Sequence, residues 1–559
     1  MQPLRRVGIT ISVAAVAAVL AFVLLPALAV AQKNQLGMFQ DDARMLTVPG
    51  PTLQTLRELG VGVVRVTLAW NTVAPSKRQP GFNPVLPSSY PAASWTIYDQ
   101  IVRDAHANGI AVDFSLTGPA PLWAAGSGQP APGNYGEWKP SATAFGQFVE
   151  AVATRYSGSY DPTTDTIAHG DADDLPRVSF WELWNEPNFG EDLAPQAIKG
   201  STVPTSAPAY RSLLDAAWRG LGLTGHGRDT ILIGNLDARG SNGKPRPGQP
   251  QGLPGNFGQT KPLQFLRTLY CVSTAYQELR GAAAAAVGCP ATAAGSRQFR
   301  NAHPALFRAS GFADHPYPVN LPPTKATSTD PDFTEFSELP RLASTLDRLK
   351  RIYGSGKRFP IYNNEYGYIT NPPNNSSSHF VSPATAATYT NWAEYLSWRN
   401  ARIGSTMQYL LYDPNPTENV PEFGGFASGL IFYDGTRKPG YNDYRLPLYL
   451  PVTSTRRGRS LEVWGCVRPA HFASLDTGGT PQQVQIQFER GSGGAFTTLR
   501  TVTITNARGY FDLRLSFPAG GTVRLAWSYP ANDPLLTPSL ITPGDSDTVY
   551  SRSVKVRVR

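Results

Sequence analysis

Arg177-Val178-Ser179-Phe180-Trp181-Glu182-Leu183-Trp184-Asn185-Glu186-Pro187-Asn188 begins as an apolar, β-prone run and ends on residues that strands do not favour. Asn and Pro are poor strand formers and Glu is indifferent, so propensity alone does not account for the ending. The pattern predicts a buried strand that delivers a carboxylic acid to its C-terminal end, where Pro187 stops the ladder and turns the chain. Taken alone, an Asn-Glu-Pro would be an ordinary strand-to-loop junction with a solvated Glu. A second junction of the same design shifts that balance. Phe359-Pro360-Ile361-Tyr362-Asn363-Asn364-Glu365-Tyr366-Gly367 is again a short apolar strand ending on a Glu among aromatics. The two acids are far enough apart in sequence to sit on different strands of one large domain.

Outward from this stretch, residues 35–39 read as a first strand and 51–59 as a helix stopped by Gly60. The β-branched run VGVVRVTLAW over 61–70 reads as a strand buried on both faces. A helix over 95–108, a strand over 110–116 and a helix over 141–156 lead into the opening stretch as strand four. Helices over 208–221, 262–279, 336–353 and 383–399 alternate with strands over 230–236, 311–317, 359–365 and 406–412. No connection offers a hairpin turn, so the alternation predicts a closed parallel α/β barrel with its site where strands end and βα loops begin. Pattern alone allows seven to nine strands. The long loops 237–261 and 371–380 leave strands five and seven on that rim and are read as cleft walls.

The pairing of Asn185-Glu186 with the remote Glu365 resembles the clan A glycoside hydrolases, whose barrels carry an Asn-Glu pair at the end of strand four and a Glu at the end of strand seven. The Trp-Asn-Glu-Pro-Asn wording is most similar to the family 39 xylosidase and iduronidase branch and the family 5 cellulase-like branch. The resemblance covers residues 34–449 in layout and is specific only around the two glutamates. It implies a (β/α)8 TIM barrel, selects eight strands from the range above, and implies retaining chemistry without a cofactor. Glu186 would be the general acid/base, Glu365 the nucleophile, and Asn185 a partner of the sugar 2-hydroxyl. The clan's Arg on strand two matches Arg65, and its Tyr or His after strand six matches Tyr317 or His315. The clan often has a Trp at the end of strand eight, and Thr406-Met407-Gln408-Tyr409-Leu410-Leu411-Tyr412 has none.

The residues themselves add to this. Arg65 lies mid-strand between Val64 and Val66, where an unpaired guanidinium would be costly, so it requires an acid. Glu182 shares strand parity with Glu186 and is read as a structural partner of Arg65. Glycosidic cleavage needs one carboxyl to protonate the leaving oxygen and another at the anomeric carbon. Sugars stack on aromatic faces, and Trp70 and Trp123 are the first choices for substrate platforms; Trp138, Phe189, Tyr366, Tyr368 and Tyr412 rank behind them.

The chain has 559 residues, 41% hydrophobic, with 52 Gly and 50 Pro, which fits a barrel with shaped loops plus a smaller module. Net charge is +9, but no basic run is dense enough for a nucleic-acid stripe, so a carbohydrate partner and no nucleic acid are expected. The sign bias would suit an anionic glycan or cell surface. Residues 1–31, with Arg5-Arg6 ahead of an apolar run and small residues near 27–31, read as a signal peptide or a retained membrane anchor. Either places the remainder outside the cytoplasm, secreted or held at the membrane or cell wall. Cys271 and Cys289 flank an alanine run and are candidates for a disulfide, with Cys466 a small buried residue. No Cys/His cluster suggests zinc, and the acidic loop 161–174 lacks the Gly and Glu of an EF-hand, so no metal is expected.

Beyond residue 450, short alternating runs such as Gln483-Val484-Gln485-Ile486-Gln487-Phe488 separated by Gly-rich turns predict an antiparallel β-sandwich. The expected division is a barrel over 32–450 and a sandwich over 451–559, with 451–459 as linker; the sandwich is either a structural cap or a glycan binder. The resulting expectation is an exported retaining glycoside hydrolase. The alternatives are a transglycosylase on the same scaffold and a silent glycan-binding barrel.

Overall fold

The computed structural model describes residues 35–167, 170–197, 203–241, 254–374, 380–416, 426–469, 482–528 and 548–559. The segment 1–31 and the centres of the loops 237–261 and 371–380 lie outside the described residues. Among the described residues no helix is long and apolar enough to cross a membrane.

Eight parallel strands form the barrel: β1 (Leu36–Gln40), β2 (Val63–Ala69), β3 (Ala111–Thr117), β4 (Phe180–Leu183), β5 (Thr230–Asp237), β6 (Gly311–His315), β7 (Ile361–Asn363) and β8 (Ser405–Tyr409). They pair in the order β8-β1-β2-β3-β4-β5-β6-β7. The ring closes through a bridge between Ile361 and Ile403, where Ile361 donates its amide to Arg402 and accepts one from Gly404, each at 2.7 Å. This is a (β/α)8 TIM barrel: the alternating pattern predicted a closed parallel barrel of seven to nine strands, and the resemblance selected eight. Val64, Val66 and Leu68 of β2 are fully buried, and the same strand buries Arg65, so both its faces are covered. Barrel interiors are usually filled with branched aliphatic side chains. Here Arg65, Asp113, Ser115, Glu182, Asn235 and Asn364 are all fully buried near the barrel centre.

Several boundaries move. β4 stops at Leu183 because Trp184 takes φ +72°, and Glu186 follows at φ +30°. β7 stops at Asn363. Both glutamates therefore sit in the turns just past their strands. The helix expected over 262–279 ends at Leu269, because Cys271 adopts φ +57° and is bonded to Cys289. The alanine run between the two cysteines makes its own short helix, Gly281–Ala285. Cys466 is free and buried.

The C-terminal region forms two sheets. Leu448–Tyr449, Ser460–Cys466 and Tyr510–Ser516 make an antiparallel sheet. Gln483–Arg490, Thr497–Thr503, Gly521–Ser528, Thr548–Tyr550 and Val554–Val558 make a second antiparallel sheet, with Ser454–Thr455 added parallel to Val554–Val558. Leu461 and Val463 of one sheet share an apolar cluster with Val484, Ile486 and Leu525 of the other. Leu448–Tyr449 precedes residue 450, and Ser454–Thr455 lies within the stretch read as a linker. Against the barrel, Glu394 of the helix Pro383–Trp398 pairs with buried Arg468 and accepts from Tyr510 Oη at 2.8 Å. Tyr395 and Trp398 pack on Trp464 beside it.

Candidate active site

Arg65 is the hub beneath the barrel mouth. Its Nε donates to Glu182 Oε2 at 2.5 Å and its Nη1 to Gln40 Oε1 and Glu365 Oε1, each at 2.6 Å. Its Nη2 donates to Asn185 Oδ1 at 2.9 Å and Ser115 Oγ at 3.1 Å. Burial opposes the charge of this guanidinium, but Glu182 and Glu365 outweigh it and hold Arg65 above its ordinary range. The acidic partner required for a mid-strand Arg is therefore Glu182, whose other oxygen accepts from Asn364 Nδ2 at 2.8 Å.

Glu365 has both oxygens engaged. Oε1 accepts from Arg65, and Oε2 accepts from Tyr317 Oη at 3.1 Å. Tyr317 reaches it from a tight turn after β6, its amide donating to the His315 carbonyl at 2.9 Å. Glu186 meets a different setting: its Oε1 lies 2.7 Å from His315 Nδ1. Burial, then the charges of Asp237 and Glu365, hold the Glu186 carboxyl well above the ordinary carboxylate range. His315 is buried, and its Nδ1 is also 3.5 Å from Glu365 Oε2. Burial, opposed by the Glu365 charge, keeps its ring below the usual histidine range, so the imidazole is neutral near pH 7. Nε2 of His315 has no partner among the described residues.

Donor atoms of Glu186, His315 and Glu365 all lie within 4.8 Å of one another. A cation there would have to displace the Arg65 and Tyr317 hydrogen bonds to Glu365 and the contact between His315 and Glu186. Asn185 is fixed at both ends: Oδ1 accepts from Arg65, and Nδ2 donates to Asp192 Oδ1 at 3.1 Å.

Two acids at this mouth escaped the sequence reading. Asp237 ends β5 and accepts from Gln259 Nε2 at 2.6 Å; burial raises its carboxyl above the ordinary range, against the pull of Arg239. It ends a β-prone strand on an acid, the same signal used for Glu186. Asp192, in the loop past Glu186, is pushed well up by burial and by the Glu186 charge. Nothing in its local sequence marks it.

The aromatic choices fare differently. Trp70 is 0% exposed: it opens the short helix Trp70–Val73, stacks on Phe148 at 5.7 Å and packs against Phe145. It is a core residue and offers no face to a sugar, which corrects its reading as a platform. Trp123 is partly buried at the edge of that cluster, 6.1 Å from Trp70, with Nε1 donating to the Pro75 carbonyl at 2.8 Å. Tyr366 and Tyr368 are buried and bond each other. Tyr317, which bonds Glu365, packs edge-on against Tyr409 and Phe426, the three rings lying 5.0–6.2 Å apart. Tyr409 is the last residue of β8, where the expected Trp is missing.

No protein-family model and no curated protein matches the chain. Among solved structures it is similar to a fungal β-1,4-galactanase at 14% identity and a TM-score of 0.40, covering 70% of this chain and 90% of that one. It is similar to a GH30 endoxylanase from Clostridium papyrosolvens C71 at 9% identity and a TM-score of 0.41, covering 88% and 96%. A family 1 β-glucosidase from Thermotoga maritima aligns at 13% identity and a TM-score of 0.39, covering 70% and 84%.

Proposed function

We propose that the chain is an exported glycoside hydrolase that cleaves O-glycosidic bonds of an oligo- or polysaccharide with retention of configuration, using Glu186 as general acid/base and Glu365 as nucleophile. The observation that carries this reading is the approach of the two carboxylates to within 4.8 Å. Separations of about 5 Å allow one carboxylate to attack the anomeric carbon directly, whereas gaps of about 6.5–9.5 Å leave room for a water and inversion.

The two environments fit the two roles. Glu365 accepts from the Arg65 guanidinium with one oxygen and from Tyr317 with the other, which aims it as a nucleophile. Glu186 is kept protonated by burial and by neighbouring negative charge. In the first step Glu365 attacks the anomeric carbon while Glu186 protonates the departing oxygen. Esterification removes the negative charge of Glu365, and with it one of the causes that hold Glu186 protonated. Glu186 then acidifies and serves as base for the incoming water. His315 is a proton-sharing partner that orients Glu186, and Asn185 is pre-set by Arg65 and Asp192 to meet a sugar hydroxyl. Of the two first choices for a sugar platform, Trp123 remains. No step calls for a cofactor or metal.

Residues 32–450 would form the catalytic unit and 451–559 a β-sandwich accessory unit. The buried Glu394–Arg468 pair supports a cap fixed to the barrel. Residues 1–31 would carry the protein out of the cytoplasm. Both glutamates being present and braced argues against a silent glycan binder. A transglycosylase would differ only in how well water is kept from the glycosyl-enzyme. Proton NMR of the first product released from aryl glycosides tests the proposal: retained configuration is expected, and an inverted first product overturns it.

A further inference from the structure

The basic excess of the chain is not spread evenly. Residues 451–559 hold thirteen Lys and Arg against seven Asp and Glu, whereas the whole chain has 50 and 41. Two short stretches account for six of them: Arg456, Arg457 and Arg459, and Lys555, Arg557 and Arg559. Remote in sequence, they are zipped together by the parallel pairing of Ser454–Thr455 with Val554–Val558, in the register Ser454 to Arg557. Arg457 donates its amide to the Arg559 carbonyl and Arg559 donates its own to Thr455, each at 2.9 Å.

All six side chains are exposed, and none forms a salt bridge among the described residues. In the C-terminal strand Val554 and Val556 are buried, so Lys555, Arg557 and Arg559 alternate outward, about 7 Å apart along the strand. Arg459 also lines an open groove of about 450 Å³ with Ser454, Thr455, Arg514 and one acid, Glu462. Like charges held this close repel one another unless something neutralises them.

We propose that this ridge is a docking surface for an anionic polysaccharide, one bearing uronate or sulfate groups at close spacing, and that it acts separately from the catalytic cleft. Edge-strand cations can also deter strand-to-strand aggregation. That role does not account for Arg457 and Arg459, which lie beyond the two-residue edge strand. The stretches 451–459 and 554–559 contain no aromatic residue to stack on bases or to seat the protein at a bilayer interface. A linear row of cations meeting a linear row of anions is the chemistry that remains.

The full chain tests this by affinity electrophoresis in gels containing polygalacturonate, with neutral glucan gels, phosphatidylglycerol vesicles and duplex DNA as parallel arms. Polygalacturonate is expected to retard the protein in a salt-sensitive way. The triple variants Arg456→Gln/Arg457→Gln/Arg459→Gln and Lys555→Gln/Arg557→Gln/Arg559→Gln should each weaken this by roughly tenfold or more at about 50 mM salt. A control with three exposed barrel cations neutralised, Arg228→Gln/Arg297→Gln/Lys325→Gln, should bind as the parent does. Equal loss in the control reduces the effect to net charge and overturns the proposal. So does tighter binding to vesicles or DNA, or ridge variants that aggregate yet still bind. Binding is read without turnover, so its failure and that of the cleft chemistry are distinguishable.

Discussion

The two ends of β7 treat a buried cation in opposite ways. Above its C-terminal end, Arg65 is fully buried yet held charged by Glu182 at 2.5 Å and Glu365 at 2.6 Å. Below its N-terminal end, Lys350 is equally buried, sits 3.0 Å over the Phe359 ring, and its Nζ has no hydrogen-bond partner among the described residues. Burial and the neighbouring Lys357 bring that amine down to about 7. Whether a buried charge survives depends on the partner supplied. The top of a barrel spends its ionic groups on chemistry and the bottom on stability, so the two ends should break in different assays.

The largest effect belongs to the top. Glu365→Ala should lower turnover of every glycoside by on the order of 10⁴-fold or more, measured as kcat/KM on nitrophenyl glycosides, with the fold intact by circular dichroism. Activity within tenfold of the parent would remove Glu365 from the chemistry. Arg65→Met should instead damage both function and fold, because it leaves Glu182 buried without its cation; stability should fall by about 3–5 kcal/mol in urea titration. A stable Arg65→Met protein would mean that the fold does not depend on the Arg65–Glu182 pair.

Glu186→Ala should be milder and selective. General acid assistance is worth about 10²–10⁴-fold, and the loss should be large on alkyl glycosides and small on dinitrophenyl glycosides, with azide restoring turnover. Because the Glu186 carboxyl is raised, kcat/KM of the parent should fall as pH rises through its pKa, and Glu186→Gln should lack that limb. Equal loss on both substrate classes would contradict the acid role.

What the sequence disclosed follows the same division. The β-branched run of β2 and the need of Arg65 for an acid were legible, because a mid-strand guanidinium has few solutions; Glu182 came from parity alone. The turn that sets Glu186 was not, since Trp184 reaches φ +72° while Asn235 Nδ2 bonds its carbonyl at 2.7 Å, a contact from another strand. Trp70 failed for a related reason: an aromatic past a strand end can face the cleft or fold back, and only Phe145 and Phe148 on a later helix decide. Lys350 reads as an ordinary solvated cation in the last turn of its helix, because its burial is made by Phe359 from beyond the helix end. The cationic ridge was likewise hidden, its halves lying about a hundred residues apart in sequence.

The smallest expected effect on turnover lies at the bottom. The folded Lys350 amine titrates near 7 against an ordinary 10.5, so below the folded value both states bind the proton and the full penalty of charging a buried amine is present. Between about 7 and 10.5 the unfolded chain binds a proton that the folded chain lacks, so stability rises with pH across that window and levels off above it. Lys350→Met keeps the length and apolar stem while removing the titrating group. It should stabilise the protein by about 4 kcal/mol at pH 7 and by nearly nothing above pH 10.5, with turnover unchanged. Urea titrations across that range decide the matter: a gain that does not shrink with pH would locate the effect in packing over Phe359 rather than in the amine.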